Sequence, residues 1–264
     1  RTTSLSRETG CAGSVAPPCV VSWRTPNLAR GKIMADDLKL ISADVCPYAQ
    51  RTRLVLLEKG IAHESVEIDL RNKPAWFEDV SPYSKVPVLV HGEHTIWEST
   101  VINEYLEEAF TEPRLTPAMA AGRAAMRIAI AYDDVTFVPA TYKVLLARDE
   151  PEKQALYRGV ILDGLRMMET RAMANAAGGP WLLGEQLTLA DLSIYPHMER
   201  LAVLREYRGI ELPAECGRLR EWLSAMQERE SVKATLHDDA YHIAAYAHYA
   251  DATANGTTAA VMRL

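Results

Sequence analysis

The stretch that most constrains the fold of this chain is Ile41–Gly60, with the sequence ISADVCPYAQRTRLVLLEKG. A short apolar run ends at its beginning and is typical of a strand, and Cys46 follows in a loop. Pro47 suits the first position of a helix, because its missing N–H would have no intrahelical partner there. The unbroken apolar run Leu54–Leu57 predicts a helix buried on more than one side, and Gly60 is a stop signal.

Placement at a helix N-terminus predicts a reactive thiol at Cys46. Free backbone N–H groups and the positive end of the helix dipole both favour a thiolate, so we expect a thiol pKa below the usual ~8.5. Ala49 stands where the second cysteine of a Cys-X-X-Cys motif would be, so a mixed disulfide on Cys46 needs an outside thiol to resolve it. Taken alone, the motif is also compatible with an inert cysteine in a loop.

Composition limits the class of protein. The chain has 264 residues, 48% of them hydrophobic, which is enough for one large or two small domains. The net charge of −6 argues against nucleic acid or an anionic membrane as the main partner, and no apolar run reaches the ~20 residues of a spanning helix. Only Cys46 and Cys216 of the four cysteines lie in the predicted folded body, which favours a reducing compartment, the cytoplasm.

Changes in composition predict the domain boundaries. Residues 1–33 are rich in Ser, Thr, Pro and Gly and lack amphipathic periodicity, so we expect a disordered or non-native extension before a start at Met34 rather than a transit peptide. A linker at 112–118 is predicted to separate a first folded unit, 34–111, from a helical unit, 119–250. The small, polar residues 251–264 predict a flexible tail.

The first unit reads as alternating strands and helices. A strand at 37–41, the helix after Cys46 and a strand within His63–Leu70 predict a parallel right-handed crossover. The run Val86–His91 and a strand around His94–Trp97, separated by a tight turn, predict a hairpin. A helix over Ser99–Phe110 should follow.

The second unit is helical almost to its end. Met119–Arg148 predicts one long helix or two, with Pro139 as the point of a kink or break, and Pro151–Ala176 predicts the next helix. Thr188 followed by Asp191 is typical of a capping box, so we interpret Asp191 as structural rather than catalytic.

The order strand–helix–strand, Val86-Pro87, hairpin and Glu98-Ser99 at a helix start resembles the thioredoxin-like domain of glutathione transferases. The motifs Cys-Pro-Tyr-Ala-Gln-Arg at 46–51 and Asn-Lys-Pro-Ala-Trp-Phe at 72–77 resemble the omega class, which carries a cysteine nucleophile. The resemblance covers Leu38 to about Ser231. It implies an α/β thioredoxin-like N-terminal domain followed by an all-α C-terminal domain.

The resemblance also implies roles for individual residues. Cys46 would attack a glutathionyl sulfur, with Tyr48 beside the thiol. A cis Pro87 would present the backbone of Val86 to the cysteinyl part of glutathione, in the manner of an added strand. Lys73 would reach the glycyl carboxylate, although from the sequence alone a solvated loop lysine is the simpler interpretation.

The remaining implied contacts concern the γ-glutamyl end of glutathione and the acceptor. Glu98 would bind the ammonium group, while Ser99 and the helix N-terminal N–H groups would bind the carboxylate, although Ser99 also suits a simple helix cap. An acceptor pocket facing Cys46 is expected between the two domains. Core packing is the simpler interpretation for each of its four candidate lining residues, Tyr132, Phe137, Tyr142 and Tyr195.

The function that the resemblance implies is a glutathione-dependent thiol transferase or reductase, acting on mixed disulfides, dehydroascorbate or glutathionyl conjugates. Glutathione would be the co-substrate and the chain would form a homodimer. The spacing of His237, His242 and His248 does not suggest a metal site, and none is expected.

Two alternatives stay open at this point. The first is a glutathione-dependent lyase, β-etherase or dehalogenase acting on aromatic substrates. The second is a non-enzymatic binding or regulatory relative. The Glu98-Ser99 pair argues against the second alternative, because a protein that does not bind glutathione has no need of a clamp for its ammonium and carboxylate groups.

Overall fold

A computed structural model describes residues 37–172 and 178–264. The extension expected at 1–33 and the last residues of the helix expected over Pro151–Ala176 lie outside the described residues. Within the two described ranges, none of the helices combines the length and the hydropathy that a bilayer-spanning segment requires.

The first part of the described chain contains a mixed sheet of four strands in the order β2-β1-β3-β4. The strands are β1 (Leu38–Ser42), β2 (Glu64–Glu67), β3 (Val88–His91) and β4 (His94–Trp97). Strand β1 pairs in parallel with β2 and antiparallel with β3, and β3 forms an antiparallel hairpin with β4. The parallel pairing and the hairpin predicted from the sequence are both confirmed.

Helices alternate with these strands and then form the regular structure of the remaining described residues. Those of the first part are α1 (Pro47–Glu58), α2 (Phe77–Val80) and α3 (Ser99–Ala109). Those of the helical part are α4 (Ala120–Tyr132), α5 (Val138–Leu146), α6 (Pro151–Met167), α7 (Leu189–Met198), α8 (Leu201–Arg208), α9 (Gly217–Gln227), α10 (Glu230–Lys233), α11 (Asp239–Ala250) and α12 (Thr257–Met262). The fold class predicted from the sequence is confirmed.

Both faces of the sheet are covered. Alternation along β1 places Leu40 in a core shared with α1 and α3, and Ile41 in a smaller core with Val88 and Phe77. Helix α1 packs against α3 on one side and α7 on the other, and Leu54 is fully buried between them. Burial of α1 on more than one side, as its apolar run predicts, places its N-terminus between the sheet and the helical part.

The predicted interruption around Pro139 is a π-helical turn rather than a break. The chain stays helical from α4 through the turn Asp133–Phe137 into α5, and Pro139 lies in the first turn of α5. A second π-helical turn, Met168–Ala172, follows α6. Such turns insert one residue into a helix and often lie near functional sites. The first turn carries Asp133, a residue that contacts α1.

The capping box at the start of α7 is confirmed. The carboxylate of Asp191 accepts hydrogen bonds from the backbone N–H of Thr188 at 2.8 Å and from its hydroxyl at 2.9 Å. It also accepts from the backbone of Leu182 at 2.8 Å and the indole of Trp222 at 2.9 Å. Four donors on one buried carboxylate explain why Asp191 is a structural residue.

The flexible tail predicted for residues 251–264 is corrected by the structure. Helix α12 forms there and packs against α5, with Ala259 fully buried. The small residues that suggested a fraying terminus allow a close approach of two helices instead, and alanine is the best helix former.

Candidate active site

Cys46 occupies the N-cap position of α1. Its backbone N–H donates to Ala43 at 2.9 Å, and its carbonyl accepts from the N–H of Gln50 at 3.0 Å, so residues 43–46 form a tight turn, here called the nucleophile loop. The thiol donates to the carbonyl oxygen of Val86, with the sulfur 3.9 Å away. The structure therefore brings the predicted nucleophile next to the backbone that glutathione is predicted to contact.

The expected low thiol pKa of Cys46 is corrected. Burial raises the pKa of this thiol above its ordinary value and outweighs the groups that lower it. Those groups are the backbone N–H groups of Ala49 and Tyr48, then the charges of Arg200 and Arg53. The helix N-terminus acts in the predicted direction, but an argument from the sequence omits the loss of hydration around the half-buried Cys46.

The segment before β3 shapes the approach to Cys46. The peptide bond between Val86 and Pro87 is cis, as predicted, and both residues are buried. The ammonium of Lys73 donates to the backbone carbonyl of Ser84 at 2.7 Å and to its hydroxyl at 3.3 Å. Lys73 is thus bonded to Ser84 in the segment before the cis peptide bond, whereas the resemblance implies a contact with the glycyl carboxylate of glutathione.

Glu98 and Ser99 lie where β4 passes into α3. Glu98 is exposed and adopts a φ of 69°, in the left-handed region that non-glycine residues rarely occupy. Ser99 is buried and is the first residue of α3. An exposed carboxylate beside free helix N–H groups provides one acceptor and several donors, which suits a ligand carrying both an ammonium and a carboxylate group.

Tyr48 is half-buried and contacts a charged group and an aromatic ring of the protein. The guanidinium of Arg51 lies 5.1 Å from the centre of its ring, and the imidazole of His197 meets it edge-on at 5.2 Å. Burial raises the pKa of the Tyr48 phenol far above its ordinary value, so the phenol stays protonated at neutral pH. Tyr48 can therefore donate a hydrogen bond but cannot act as a phenolate.

Arg51 is the centre of a buried group that we call the Arg51 cluster, consisting of Arg51, Asp133, Asp134 and His197. Its guanidinium forms ion pairs with Asp133 at 2.6 Å and Asp134 at 2.7 Å. It also donates to the carbonyl of Ser193 in α7 at 2.7 Å. The cluster ties α1 to the helical part.

The Arg51 cluster contains three potential metal ligands, but a cation of the protein already lies among them. The ligand atoms of Asp133, Asp134 and His197 lie within 4.8 Å of one another, and Arg51 pairs with both carboxylates. Burial raises the pKa of Asp133 to about 8 in spite of the Arg51 charge. Burial, with the charges of Arg51 and Arg200, holds the pKa of His197 well below its ordinary value.

The four aromatic residues predicted to line an acceptor pocket have different surroundings. Phe137 and Tyr195 are fully buried, and Tyr195 packs edge-on against Trp222, so the structure corrects the prediction for these two. Tyr132 and Phe137 pack at Gly164, where an added methyl group would lie 3.1 Å from the Tyr132 hydroxyl. A helical pattern predicts an apolar face but not whether that face meets the core or a cleft.

Tyr142 is the predicted lining residue whose neighbours connect it to Cys46. Its hydroxyl lies 3.0 Å from that of Tyr246 in α11, and the ring of Tyr249 meets it edge-on at 5.0 Å. The titration of Tyr246 and Tyr249 is influenced by the charge of Cys46. Sequence reasoning missed both residues, although their spacing of three places them on one face of a helix.

Arg200 is the other residue that sequence reasoning missed. It is buried between α7 and α8 and donates to the carbonyl of Val45 in the nucleophile loop at 3.2 Å. It also donates to the side chain of Gln50 in α1 at 2.8 Å. No motif surrounds Arg200 in the sequence, so only the fold identifies it as a neighbour of Cys46.

Comparisons with known proteins show the family of the chain. The chain matches the N-terminal domain of glutathione S-transferases over residues 45–109 and their C-terminal domain over residues 144–225. It is 31% identical to glutathione S-transferase omega-1 of Rattus norvegicus over 199 residues, 75% of this chain and 80% of that protein.

Solved structures give the same result. Glutathione transferase Omega 3C from Trametes versicolor superimposes with a TM-score of 0.72 at 31% identity, covering 83% of this chain and 92% of that one. A rice glutathione transferase, crystallised in complex with glutathione, has a TM-score of 0.73 at 25% identity, covering 83% and 98%. The chain belongs to the glutathione S-transferase family and to its omega-like class, which is marked by the cysteine at the start of α1.

Proposed function

We propose that this protein is a glutathione-dependent thiol transferase or reductase with Cys46 as its nucleophile. The observation that carries the proposal is the position of Cys46. It is the N-cap residue of α1, and its sulfur lies 3.9 Å from the carbonyl oxygen of Val86. A tripeptide pairing with the backbone of Val86 would bring its own sulfur to that of Cys46. Lys73, Glu98, Ser99 and Tyr48 are the further side chains that we assign to glutathione binding.

The reaction consists of two thiol–disulfide exchanges. The Cys46 thiolate attacks the glutathionyl sulfur of a mixed disulfide, so a disulfide bond between Cys46 and glutathione forms while the substrate disulfide breaks. The released thiolate takes up a proton and leaves as a thiol. A second glutathione, as its thiolate, attacks the glutathionyl sulfur, giving glutathione disulfide and restoring the Cys46 thiolate.

The composition of α1 makes the second glutathione necessary. Ala49 lies where a resolving thiol would be, and Cys216, the other free cysteine of the described residues, is fully buried within the helical part. A disulfide between Cys46 and Cys216 therefore cannot replace the second step without moving the helical core. Net turnover consumes one mixed disulfide and one glutathione and yields a thiol and glutathione disulfide.

The test is a substrate panel on the wild-type protein and on the Cys46→Ser variant. The panel contains hydroxyethyl disulfide, dehydroascorbate, phenacyl-glutathione and an aryl chloride, each with glutathione. We expect activity on the first three classes, with a loss on the order of 10³-fold in Cys46→Ser, because a hydroxyl cannot carry the exchange. Cys216→Ser is the matched control and should keep its activity.

Each other outcome of that panel has a definite meaning. Turnover of the aryl chloride alone would replace the proposal with the dehalogenase or lyase alternative. Absence of glutathione binding to Cys46→Ser in isothermal titration would replace it with a non-enzymatic role. Full disulfide reduction by Cys46→Ser would contradict the assignment of the nucleophile.

A homodimer and a cytoplasmic location complete the proposal. Exposed apolar side chains lie on α3, on α4 and on the turn after it, at Val101, Ile128 and Val135, and pairing with a second copy would remove them from water. We expect the mass of a dimer in light scattering and that of a monomer for Ile128→Glu. A fluorescent fusion of the full chain should be cytoplasmic, in line with the free thiols of Cys46 and Cys216.

A further inference from the structure

Arg200 is a buried cation that contacts the turn carrying the nucleophile. It lies between α7 and α8, and 5% of its surface is exposed. Its guanidinium donates to the carbonyl of Val45, the residue directly before Cys46, at 3.2 Å. The same group donates to the side-chain oxygen of Gln50 at 2.8 Å and to the carbonyl of Pro196. One side chain thus joins the helical part to the nucleophile loop and to α1.

The acceptors of Arg200 are all neutral. Within residues 37–172 and 178–264, no carboxylate forms an ion pair with its guanidinium. The adjacent carboxylate of Glu199 is bound elsewhere, by Gln50 at 2.7 Å and by His242 in α11 at 2.7 Å. A buried guanidinium without a counter-charge is costly, because hydration is lost and no anion compensates for it. An anion formed nearby would offset that cost.

The group beside Arg200 that can ionise to an anion is the thiol of Cys46. The groups that influence its sulfur come from three elements: Tyr48 and Arg53 in α1, Arg200, and Tyr246 and Tyr249 in α11. The three phenols remain neutral, because burial raises the pKa of each. Arg53 carries a positive charge, but its guanidinium is paired with the carboxylate of Asp44 at 3.2 Å.

We propose that Arg200 is a positioning residue that holds the nucleophile loop through Val45 and supplies the counter-charge of the Cys46 thiolate. Its hydrogen bonds fix where the sulfur lies relative to α1. Its charge, which pairs with no described carboxylate, offsets part of the cost of ionising the half-buried Cys46. Arg51, the other buried arginine that joins α1 to the helical part, differs because it pairs with two acidic side chains, Asp133 and Asp134.

The charge of Arg200 should also affect the second exchange step, an expectation that rests on the proposed function. Cys46 is the leaving group when glutathione attacks the mixed disulfide, and a thiol of lower pKa leaves faster. Removal of the Arg200 charge should therefore slow the release of Cys46 as well as its attack. The glutathione-binding residues of the first part of the chain would be unaffected.

The test measures the ionisation of Cys46 without glutathione or an acceptor. Iodoacetamide alkylation of the Cys46 peptide is followed by mass spectrometry across a pH series in the full chain. We expect Arg200→Gln, which keeps hydrogen-bonding capacity but removes the charge, to raise the apparent pKa by about one unit and to slow alkylation near neutral pH about tenfold. Arg200→Lys should restore most of that shift while leaving turnover impaired, because lysine cannot bridge Val45 and Gln50.

Arg208→Met is the matched control. This arginine also donates to neutral carbonyls, including those of Val144 and Ala250 at 2.9 Å, but it does not influence the Cys46 sulfur. Its loss should lower the melting temperature and leave the alkylation profile unchanged. An unchanged profile in Arg200→Gln, or an equal shift in Arg208→Met, would overturn the proposal.

A second pair of variants covers the case in which Arg200→Gln does not fold. Cys46→Asp places a carboxyl group, whose ordinary pKa of ~3.9 is far below that of a thiol, at the nucleophile position, and Cys46→Asn is its neutral isostere. With Arg200 as counter-charge, the aspartate variant should melt at least as high as the asparagine variant near neutral pH. A much lower melting temperature for the aspartate variant would contradict the proposal. Neither measurement depends on glutathione, so either can fail while the thiol transferase assignment stands.

Discussion

The two sides of Cys46 are built differently. On the side of the first part of the chain, the two charged side chains assigned to glutathione are open to solvent: Glu98 is exposed and Lys73 is half-buried. On the side of the helical part, Arg51 and Arg200 are buried and each makes several hydrogen bonds to the protein. One side is arranged to receive a ligand, and the other to hold the nucleophile.

The difference has a physical reason. A binding group must remain available, so its individual contribution to the free energy of folding is small. A group that holds a loop in place must lose its mobility, which burial and several simultaneous hydrogen bonds achieve. Substitutions on the buried side should therefore change stability and thiol reactivity, whereas those on the open side should change the affinity for glutathione.

The largest effect is expected for Arg51→Met. Removal of the guanidinium leaves the buried Asp133 and the half-buried Asp134 without their shared partner, which should reduce the free energy of unfolding by about 3–5 kcal/mol. Urea denaturation measures the loss. The control Arg127→Met removes an exposed ion pair with Glu104, and about 0–1 kcal/mol is expected there. Similar losses of unfolding free energy in the two variants would show that the buried Arg51 cluster stabilises the protein no more than an exposed ion pair does.

The next effect is a pH dependence that comes from Asp133. Its pKa is about 8 in the folded protein and ~3.9 in an unfolded chain, so unfolding releases a proton between these values. The stabilisation that protonated Asp133 contributes is therefore complete below the lower pKa and is lost as pH rises through the higher one. The free energy of unfolding of Asp133→Asn, relative to that of the wild type, should therefore increase by up to about 1 kcal/mol per pH unit over that interval.

Urea midpoints of both proteins at about pH 5.5, 6.5 and 7.5 measure that gain. The control Asp163→Asn changes an exposed carboxylate on α6 and should show no such trend. A difference between wild type and Asp133→Asn that does not vary with pH would mean that Asp133 is ionised throughout.

On the open side, Glu98→Gln should weaken glutathione binding about tenfold, because a charge-assisted hydrogen bond to the ammonium group contributes about 1.5–3 kcal/mol. Calorimetric titration in the Cys46→Ser background measures the affinity, and the melting temperature should stay unchanged. Glu93→Gln, an exposed carboxylate in the nearby hairpin turn, is the control. Equal affinity in Glu98→Gln and wild type would remove Glu98 from the site.

The smallest effect is expected for Lys73→Met. The ammonium is half-buried and already bonded to Ser84, so its loss should raise the glutathione dissociation constant only about two- to fivefold. The same titration measures it, with Lys153→Met, an exposed lysine of α6, as the control. A loss as large as that of Glu98→Gln would mean that the ammonium swings away from Ser84 to contact the ligand directly.

The thioredoxin-like part of the fold could be predicted because its signals are local. Pro47 and Gly60 mark the two ends of α1, and the tight turn at Gly92 marks the hairpin. The start of α7 was predictable for the same reason, since Thr188 and Asp191 lie within one helical turn. In each case the partners that decide the structure are a few residues apart in the chain.

The predictions that failed depend on distant partners. The surroundings of Tyr195 and Phe137 depend on which helices pack against their faces, and the sequence pattern is the same for a core and for a cleft. The pKa of Cys46 depends on how completely the protein encloses the sulfur. Ala259 and the tail helix acquire their structure from contact with α5.

The sequence by itself determined that a cysteine begins a buried helix next to a strand, and that no second cysteine follows it in the same turn. Only the tertiary structure decided which charges lie near that cysteine. Asp133 is 82 residues from its partner Arg51, Arg200 is 150 residues from its partner Gln50, and neither belongs to a local motif. Local periodicity and capping set the elements. Burial and electrostatics act through space, so the reactivity of Cys46 depends on the packing of one half of the molecule against the other.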